Sequence, residues 1–327
     1  MAYLQTTAVS VSDILDSIAT FATSLGWTVA RNNTYTSGAT TQRILSLSRV
    51  GFDYAHFASN LSASHTEILT MRSISFSGAG ALSTEPEKST APRTNLITAG
   101  AYVNLWLFGD SGTSPYIHCV IEHAAGRYRH FGIGNLVKKG TWTGGGYNHC
   151  TFWEPAAASS IDSGSHVRPF SEFTSAAASS NHSIRCDDAD RIVGTVSGVD
   201  NRYAIYNPSM NNSNYVATGL HTTSYTSPMM YVYGMGYVTH TISSYNQRVS
   251  LINISNFVTR AAGYMTYIGD TPDVRAVNTA PFQAGEEYTI GSDVWKIFPM
   301  IRTGTGSGSG DENSWSGFAG LAYRKIV

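Results

Sequence analysis

The sequence predicts a mainly β protein, sandwich- or barrel-like, with Gly-rich loops and one amphipathic helix near the N-terminus. Short apolar or alternating runs recur along the chain, and most are bounded by Gly, Pro, Asn or Ser. Helical periodicity is clear over one segment only. The chain has 31 Gly, 19 Tyr, 13 Phe and 6 Trp, and a hydrophobic fraction of 42% is large enough to bury a core.

The single helix is predicted over residues 11–25. Ser10 or Ser12 can cap its first turn, and Asp13 places negative charge where the helix dipole favours it. Apolar residues then recur at helical spacing. Gly26 follows, as is typical just beyond a helix C-terminus. We therefore expect one face of this helix to pack on a core or on a partner.

Beyond the helix, period-two patterns and short apolar runs predict strands. Turns are expected at Asn32-Asn33 and Ser37-Gly38, and loops over residues 78–95 and 140–146. The predicted strands are 27–30, 42–50, 54–59, 67–76, 101–108, 116–122, 127–134, 191–196, 203–206, 229–233, 249–254, 264–268, 294–301 and 318–327.

Composition divides the chain into three parts. Residues 1–155 hold the helix and a first β lobe, and residues 184–327 hold a second β-rich lobe. Between them, residues 156–183 are rich in Ala and Ser and are expected to form a long loop or linker. The alternative is one continuous body. Residues 303–310 alternate Gly with Ser or Thr, which predicts a flexible hairpin-like excursion.

Low charge is the main compositional feature. Charged residues make up 13% of the chain and the formal net charge is -1, against about 25% charged residues in an ordinary globular protein. Without a basic block, no nucleic-acid partner is expected. No apolar run reaches the length of a membrane span, so membrane insertion is not expected either. The composition fits a subunit covered by neighbouring copies, or alternatively a secreted β-rich domain.

Cysteine usage indicates synthesis in a reducing compartment. Cys119, Cys150 and Cys186 are odd in number and widely spaced, so they do not read as a disulfide framework. The N-terminus has no basic region followed by an apolar one, so no secretory signal is predicted. We expect reduced, buried cysteines in a protein made in the cytoplasm.

Candidate catalytic and metal-binding groups are present but form no specific pattern. On a strand, Cys119 and His123 would share one face, which is compatible with zinc but unspecific. Asp187, Asp188 and Asp190 lack the Gly and final Glu of a calcium loop. The remaining groups considered are His118, Glu122, His130, His149, Cys150, Glu154 and Glu172. We expect no catalytic residue, no cofactor and no metal.

Three segments together resemble the structural proteins of tailed-bacteriophage virions. The first is the helix ending in Leu25-Gly26-Trp27-Thr28-Val29. The second is 128–136 (YRHFGIGNL) with 140–145 (GTWTGG) after it. The third joins 294–302 (VWKIFPMIR) to 316–325 (SGFAGLAYRK). The resemblance implies a non-enzymatic virion subunit, in the tail or baseplate, that contacts copies of itself and other virion proteins. A capsid decoration protein is an alternative.

Aromatic residues in these segments are candidate interface positions, since aromatics are enriched at binding hot spots. Two glycines flank Ile133, so this strand is expected to bulge or to let another backbone approach closely. For this strand and for the segment 294–302, the alternative interpretation is an ordinary core strand. The candidate interface residues are His130, Phe131, Trp142, Trp295, Phe298 and Trp315.

A second hypothesis is a module that binds a host surface glycan. Tyr side chains stack on sugar faces, and Asn side chains hydrogen-bond to hydroxyl groups. Tyr203, Tyr206, Asn211 and Tyr215 form the best such cluster in the sequence. The alternative for these residues is a turn-rich loop around Pro208.

Overall fold

The computed structural model describes residues 3–38, 40–61, 66–89, 91, 93–96, 100–153, 166–167, 182–187, 203–205, 230–233, 249–259, 265–299 and 319–326. They include one α-helix, α1 (Val11–Ser24), and a short 3-10 helix (Leu82–Thr84). The strands are β1 (Tyr3–Ala8), β2 (Thr28–Ser37), β3 (Thr40–Arg49), β4 (Phe52–Leu61), β5 (Thr66–Ser73), β6 (Arg93–Asn95), β7 (Tyr102–Asp110), β8 (Tyr116–Ala124), β9 (Arg127–Asn135), β10 (Val137–Lys138), β11 (Gly144–Cys150), β12 (Phe152–Trp153), β13 (His166–Val167), β14 (His182–Cys186), β15 (Tyr203–Ile205), β16 (Met230–Tyr233), β17 (Ile252–Thr259), β18 (Met265–Asn278), β19 (Glu286–Ile290), β20 (Asp293–Pro299) and β21 (Ala319–Lys325).

Helix α1 forms where the sequence predicts it. The Ser10 hydroxyl accepts a hydrogen bond from the Asp13 backbone N–H at 3.2 Å, so Ser10 rather than Ser12 is the N-cap. The Asp13 carboxylate in turn accepts one from the Val9 N–H at 3.1 Å. The chain leaves the helix at Gly26, whose φ of +78° favours glycine. The buried face comprises Val11, Ile14, Leu15, Ile18, Ala19, Phe21 and Ala22.

Three antiparallel sheets form the body of the molecule. The central sheet has the order β1-β7-β8-β9-β11-β14-β15. The N-terminal sheet is the meander β2-β3-β4-β5-β6, in which every strand pairs with its neighbour in sequence. The C-terminal sheet has the order β16-β17-β18-β21-β20-β19, and β10 also pairs with β18. Strands β12 and β13 pair separately.

The central sheet is buried on both faces, and its sequence shows why. Along β7, Leu105 and Leu107 pack in one hydrophobic cluster with α1 and the N-terminal sheet. Trp106 and Phe108, which alternate with them, pack in a second cluster with the C-terminal sheet. Since side chains alternate across a strand, a run of large apolar residues supplies both faces. The result is a sandwich-like stack of three layers, and the mainly β class with one N-terminal helix is confirmed.

Parts of the two predicted lobes share one core. Trp106 and Phe108 of residues 1–155 contact Phe298 of residues 184–327, with ring centroids 4.8 and 6.2 Å apart. Most of residues 156–183 and all of residues 191–196 and 303–310 lie outside the described residues. Within the described residues, no helix is long and apolar enough to cross a membrane.

Three local expectations were wrong. The predicted loop 78–95 ends in a strand, because residues 93–95 form β6 and pair with β5. Asn32 and Asn33 do not form a turn but lie within β2, opposite Leu45 and Ile44 of β3. Their side chains satisfy other groups there: Asn32 donates to Asp16 at 3.2 Å, and Asn33 accepts from Arg31 at 2.8 Å. The predicted loop 140–146 is also shorter, because β11 begins at Gly144. The turn at Ser37-Gly38 is confirmed, with Gly38 at a φ of +58°.

Candidate functional site

The buried polar groups of the central sheet concentrate between this sheet and the C-terminal sheet. Their side chains are fully buried and linked to one another by short hydrogen bonds or ring contacts. We call this group the ring network, and it comprises Tyr116, His118, His130, Tyr147, His149 and Tyr323.

Gly132 makes room for two histidines of the network. It lies on β9 between His118 of β8 and His149 of β11, in register with both. A Cβ atom at Gly132 would lie 2.7 Å from His118 Nδ1, 2.7 Å from the Ile117 carbonyl oxygen and 2.8 Å from His149 Nε2. The two imidazoles therefore meet over a position where no side chain fits.

Gly134 does the same for two tyrosines. It lies between Tyr116 of β8 and Tyr147 of β11. A Cβ atom there would lie 2.4 Å from the Tyr147 hydroxyl oxygen and 2.7 Å from Tyr116 Cβ. The two glycines beside Ile133 thus accommodate neighbouring side chains. They mark no bulge, because β9 runs in continuous register from residue 128 to 134 beside β8. At Gly132 the backbone carbonyl of Ile117 also approaches closely, as the alternative expectation allowed.

His118 connects the histidine pair at Gly132 to the tyrosine pair at Gly134. Its Nδ1 lies 3.1 Å from His149 Nε2, and its Nε2 lies 2.9 Å from the Tyr147 hydroxyl. A hydrogen bond between two ring nitrogens holds one proton, so one imidazole donates and the other accepts. The Pro272 carbonyl of β18 also lies near enough to His118 to raise its pKa, in opposition to burial.

His130 forms a second link between the layers. Its Nε2 donates to the Pro299 carbonyl oxygen at 2.9 Å, because a carbonyl can only accept. Its Nδ1 then accepts from the Tyr323 hydroxyl at 2.9 Å. The two rings stack at 13° with centroids 5.8 Å apart. Both nitrogens of this neutral imidazole are satisfied by strands β20 and β21.

The network reaches the surface through Asp273. The Tyr116 hydroxyl donates to the Asp273 carboxylate at 2.8 Å. The same carboxylate lies 3.4 Å from Arg324, whose side chain is 38% exposed. Asp273 has a φ of +52°, which non-glycine residues adopt rarely. A strained residue of the C-terminal sheet therefore holds the tyrosine end of the network.

Burial keeps five of the six groups of the network neutral at pH 7, namely His118, His130 and the three tyrosines. It lowers the pKa of His118 from 6.5 to about 3, against the opposing effect of the Pro272 carbonyl. It lowers the pKa of His130 to about 4, with the Pro299 carbonyl again acting in the opposite direction. Burial raises the pKa of the Tyr116, Tyr147 and Tyr323 hydroxyls well above the usual value of 10. With neutral, bonded and fully buried groups, the arrangement joins layers and offers no nucleophile to solvent.

A second buried group, the arginine cluster, joins the N-terminal sheet to the central sheet. Arg72 of β5 is 1% exposed, and its guanidinium donates to the Gly134 carbonyl at 2.6 Å and to the Asn135 side chain at 3.1 Å. Arg72 also lies 3.3 Å from Asp53. Asp53 pairs in turn with Arg185 of β14. Like those of the ring network, the polar groups of the cluster form contacts that join one strand to another.

Most of the candidate interface residues described have buried side chains. His130, Phe131 and Phe298 are fully buried, and Trp295 is 5% exposed. Their contacts are with this chain's own core, as in the alternative interpretation of these strands. Trp142 is half-buried, and its indole N–H donates to the Ile268 carbonyl at 3.2 Å. Trp315 lies outside the described residues.

The predicted glycan cluster falls largely outside the described residues, which include Tyr203 but not Tyr206, Asn211 or Tyr215. The Tyr203 backbone belongs to β15 and pairs with Arg185 of β14. The structure therefore leaves this cluster as an expectation from sequence.

Among the metal candidates, the fold brings His118 and His149 into direct contact. Within the described parts of the chain, no three His, Cys, Asp or Glu side chains come together as a metal site. Cys119, Cys150 and Cys186 are buried free thiols, and burial raises the pKa of Cys119 well above its usual value. Asp187 forms an ion pair with Arg185 at 2.6 Å. Asp188 and Asp190 lie outside the described residues.

Sequence reasoning found part of the ring network and missed the rest. It singled out the two glycines, His118, His130 and His149, but not Tyr116, Tyr147 or Tyr323. Tyr323 meets His130 across a separation of 193 residues, which no local pattern encodes. The useful signal was the Gly-Ile-Gly stretch within an otherwise bulky strand. No family model matches the chain, and no curated protein matches it either.

Proposed function

We propose that this chain is a non-enzymatic structural subunit of a tailed-bacteriophage particle, placed in the tail or baseplate. It acts through multivalent contacts with copies of itself and with other virion proteins. The resemblance of its three segments to virion structural proteins supports the particle. The low charge of the chain, of which a part is buried in the fold, is the observation that carries the structural role.

The fold buries charged side chains of a chain that has few. Arg72 and Glu85 are each 1% exposed, and Arg31 is 7% exposed. Lys296, at 8% exposure, donates to the Gly285 carbonyl at 3.0 Å. Glu67 and Arg129 are also buried. Six of the 43 Lys, Arg, Asp and Glu residues of the chain are thus buried in the described residues, which reduces further the small number of charges left for the surface.

A weakly charged surface suits a subunit that is covered in its assembly. Water solvates charged groups strongly, so covering them in an interface carries a large desolvation penalty. Uncharged Thr, Ser and Asn side chains lose less and can hydrogen-bond to a neighbour. A free monomer instead benefits from a charged surface that keeps it soluble.

The stacked layers fit a mechanical role. The ring network and the arginine cluster tie both outer sheets to the central sheet, so the described body is cross-linked by polar contacts as well as by its core. Three reduced, buried cysteines are compatible with synthesis in the host cytoplasm before assembly.

Quantitative mass spectrometry of purified, fractionated phage particles tests the proposal. We expect the protein in the tail fraction at a fixed stoichiometry, in multiples of three or six per particle. Recovery with capsids at fixed stoichiometry would instead indicate a decoration protein. Absence from particles, with all of the protein in the soluble lysate, would overturn the structural role.

A further inference from the structure

Strand β2 is the longest exposed edge in the part of the chain that the structure describes. It has ten residues, pairs with β3 along one side, and has no described strand along the other. Eight of its ten side chains are exposed. An edge strand leaves the N–H and C=O groups of alternate residues free to pair with another strand.

The exposed positions of β2 carry no charge. Its one charged residue, Arg31, has a side chain that is 5% exposed and lies 3.6 Å from Glu85. Arg31 also donates to the Gly80 carbonyl at 2.7 Å, so the guanidinium is directed into the protein. The exposed residues are Thr28, Val29, Ala30, Asn32, Asn33, Thr34, Thr36 and Ser37.

Strand β19, at the edge of the C-terminal sheet, shows the opposite design. It is five residues long and exposes Glu286 and Glu287. Glu287 is paired with Lys296 at 3.3 Å and with Lys325 at 2.9 Å, so a strand added along this edge would have to cover a cluster of charged side chains, which is costly to desolvate. Short, charged edge strands are a known protection against edge-to-edge association. Strand β2 is long and its exposed positions are uncharged, and beyond the irregularity between Val29 and Arg31 its register with β3 is continuous to Ser37.

We propose that the β2 edge pairs antiparallel with the β2 edge of a second copy of this chain, about a two-fold axis. Such a pair joins the two N-terminal sheets into one continuous ten-stranded sheet and uses the same surface on both partners. An uncharged edge matches itself without repulsion, whereas it offers no complementary charge to an acidic or basic partner. The pairing does not rest on the phage assignment.

The first test is the mass of the purified full-length chain by light scattering after size exclusion. We expect twice the monomer mass of 35.2 kDa. A monomer at all concentrations tested would overturn the proposal, even if the protein is later found in particles. Absence from particles with a dimer in solution would overturn the proposed function only.

A pair of charged variants locates the interface. Thr34→Lys combined with Thr36→Lys places two ammonium groups on each edge, at exposed positions of β2, and we expect the mass to fall by half. The matched control is Thr289→Lys, an exposed position on β19, which should leave the dimer intact. Mixing the double-Lys variant with a Thr34→Glu, Thr36→Glu variant should restore the dimer. That rescue separates electrostatic repulsion from misfolding, and a double-Lys variant that stays dimeric contradicts the β2 interface.

Disulfide trapping identifies the register. The three native cysteines are buried, so a new cysteine at an exposed β2 position is the accessible thiol among the described residues. We expect Asn32→Cys, Asn33→Cys or Thr34→Cys, tested one at a time, to yield a covalent dimer on mild oxidation at the position nearest the axis. Thr289→Cys should yield none. Dimers trapped through residue 289 and not through β2 would refute the pairing.

Discussion

Two glycines determine whether the ring network can form. At Gly132, the nearest obstacles to a side chain are two imidazole nitrogens and the Ile117 carbonyl oxygen. The carbonyl belongs to a paired strand of the central sheet, so it cannot move aside without loss of the sheet's own hydrogen bonds. The absence of a side chain at Gly132 therefore leaves the space that the neighbouring imidazole rings occupy.

We expect Gly132→Ala to lower the free energy of unfolding by about 3 kcal/mol, because overpacking a filled core forces neighbouring groups to shift. The measurement is urea denaturation followed by circular dichroism. Gly112→Ala is the control, since a Cβ atom there meets only the flexible Asp110 carboxylate within 4 Å. That variant should change stability by less than about 1 kcal/mol. Equal effects of the two substitutions would contradict the packing described at Gly132.

Buried neutral histidines make the fold sensitive to acid. The pKa of His118 is lowered to about 3 and that of His130 to about 4, both by burial. His56 is bonded to Ser46 at 2.9 Å and to Ser73 at 2.8 Å. Its pKa is lowered to about 3 by burial and by the nearby Arg31 and Arg72. In the unfolded chain each histidine takes up a proton near pH 6.5.

Stability should therefore fall as the pH drops from 6.5 towards 4. The unfolded state binds more protons than the folded state in this window, so each histidine contributes a loss of about 1.4 kcal/mol per pH unit. Urea midpoints at pH 7.5, 6.5, 5.5 and 4.5 measure the slope. His130→Asn should show a shallower slope than the native chain. A flat profile between pH 6.5 and 4.5 would disprove the neutral, buried state.

At the scale of elements, the start of helix α1 is set by a capping side chain that lies next to it in the sequence. Two side chains cap the first turn of the helix. The Ser10 hydroxyl accepts a hydrogen bond from the Asp13 backbone N–H, and the Asp13 carboxylate accepts one from the Val9 backbone N–H. Both serines considered from sequence lie near the start, yet Ser12 is exposed inside the helix. Only one of them accepts from the open backbone N–H groups.

We expect Ser10→Ala to destabilise the protein by about 1 kcal/mol, the usual effect of removing an N-cap oxygen. Ser12→Ala should be neutral or slightly stabilising, because alanine is the better helix former at a non-cap position. Thermal unfolding of the two variants side by side measures both. A larger loss for Ser12→Ala would identify the wrong residue as the cap.

Strands with bulky apolar runs could be predicted from sequence, and polar strands could not. The run in β7 and the pattern in β8 and β9 gave strands close to those observed. Strand β1 is short and rich in Gln and Thr, and β19 carries two glutamates, so neither resembles a core strand. The ring network lay beyond prediction in part, because its tyrosines come together only through the pairing of β8, β9 and β11 and the docking of β21.

At the scale of the whole molecule, the central sheet couples the two outer layers. Its strands present one face to α1 and the N-terminal sheet and the other to the C-terminal sheet. Disruption of either interface therefore exposes a face of the same strands. We expect the described body to lose its structure as one unit.

Core truncations on opposite sides of the central sheet test this coupling. Phe57→Ala removes a ring packed on Phe131, and Phe298→Ala removes one packed on Trp106. Each should lower the free energy of unfolding by about 3 to 5 kcal/mol. In calorimetry, both variants should shift the same transition. Two separate transitions, each shifted by only one variant, would show that the outer layers unfold independently.

The order of strands in the central sheet has a consequence for biosynthesis. Strands β1 and β7 are adjacent in that sheet, yet the whole N-terminal sheet lies between them in the sequence. On the ribosome, the meander β2 to β6 emerges first and can pair from local contacts alone. Until β7 to β9 have been translated, the apolar inner face of this sheet is covered only by α1 and is otherwise exposed. A nascent chain that pauses after Asn95 thus exposes the most apolar surface, and ribosome-associated chaperones would bind it at that length.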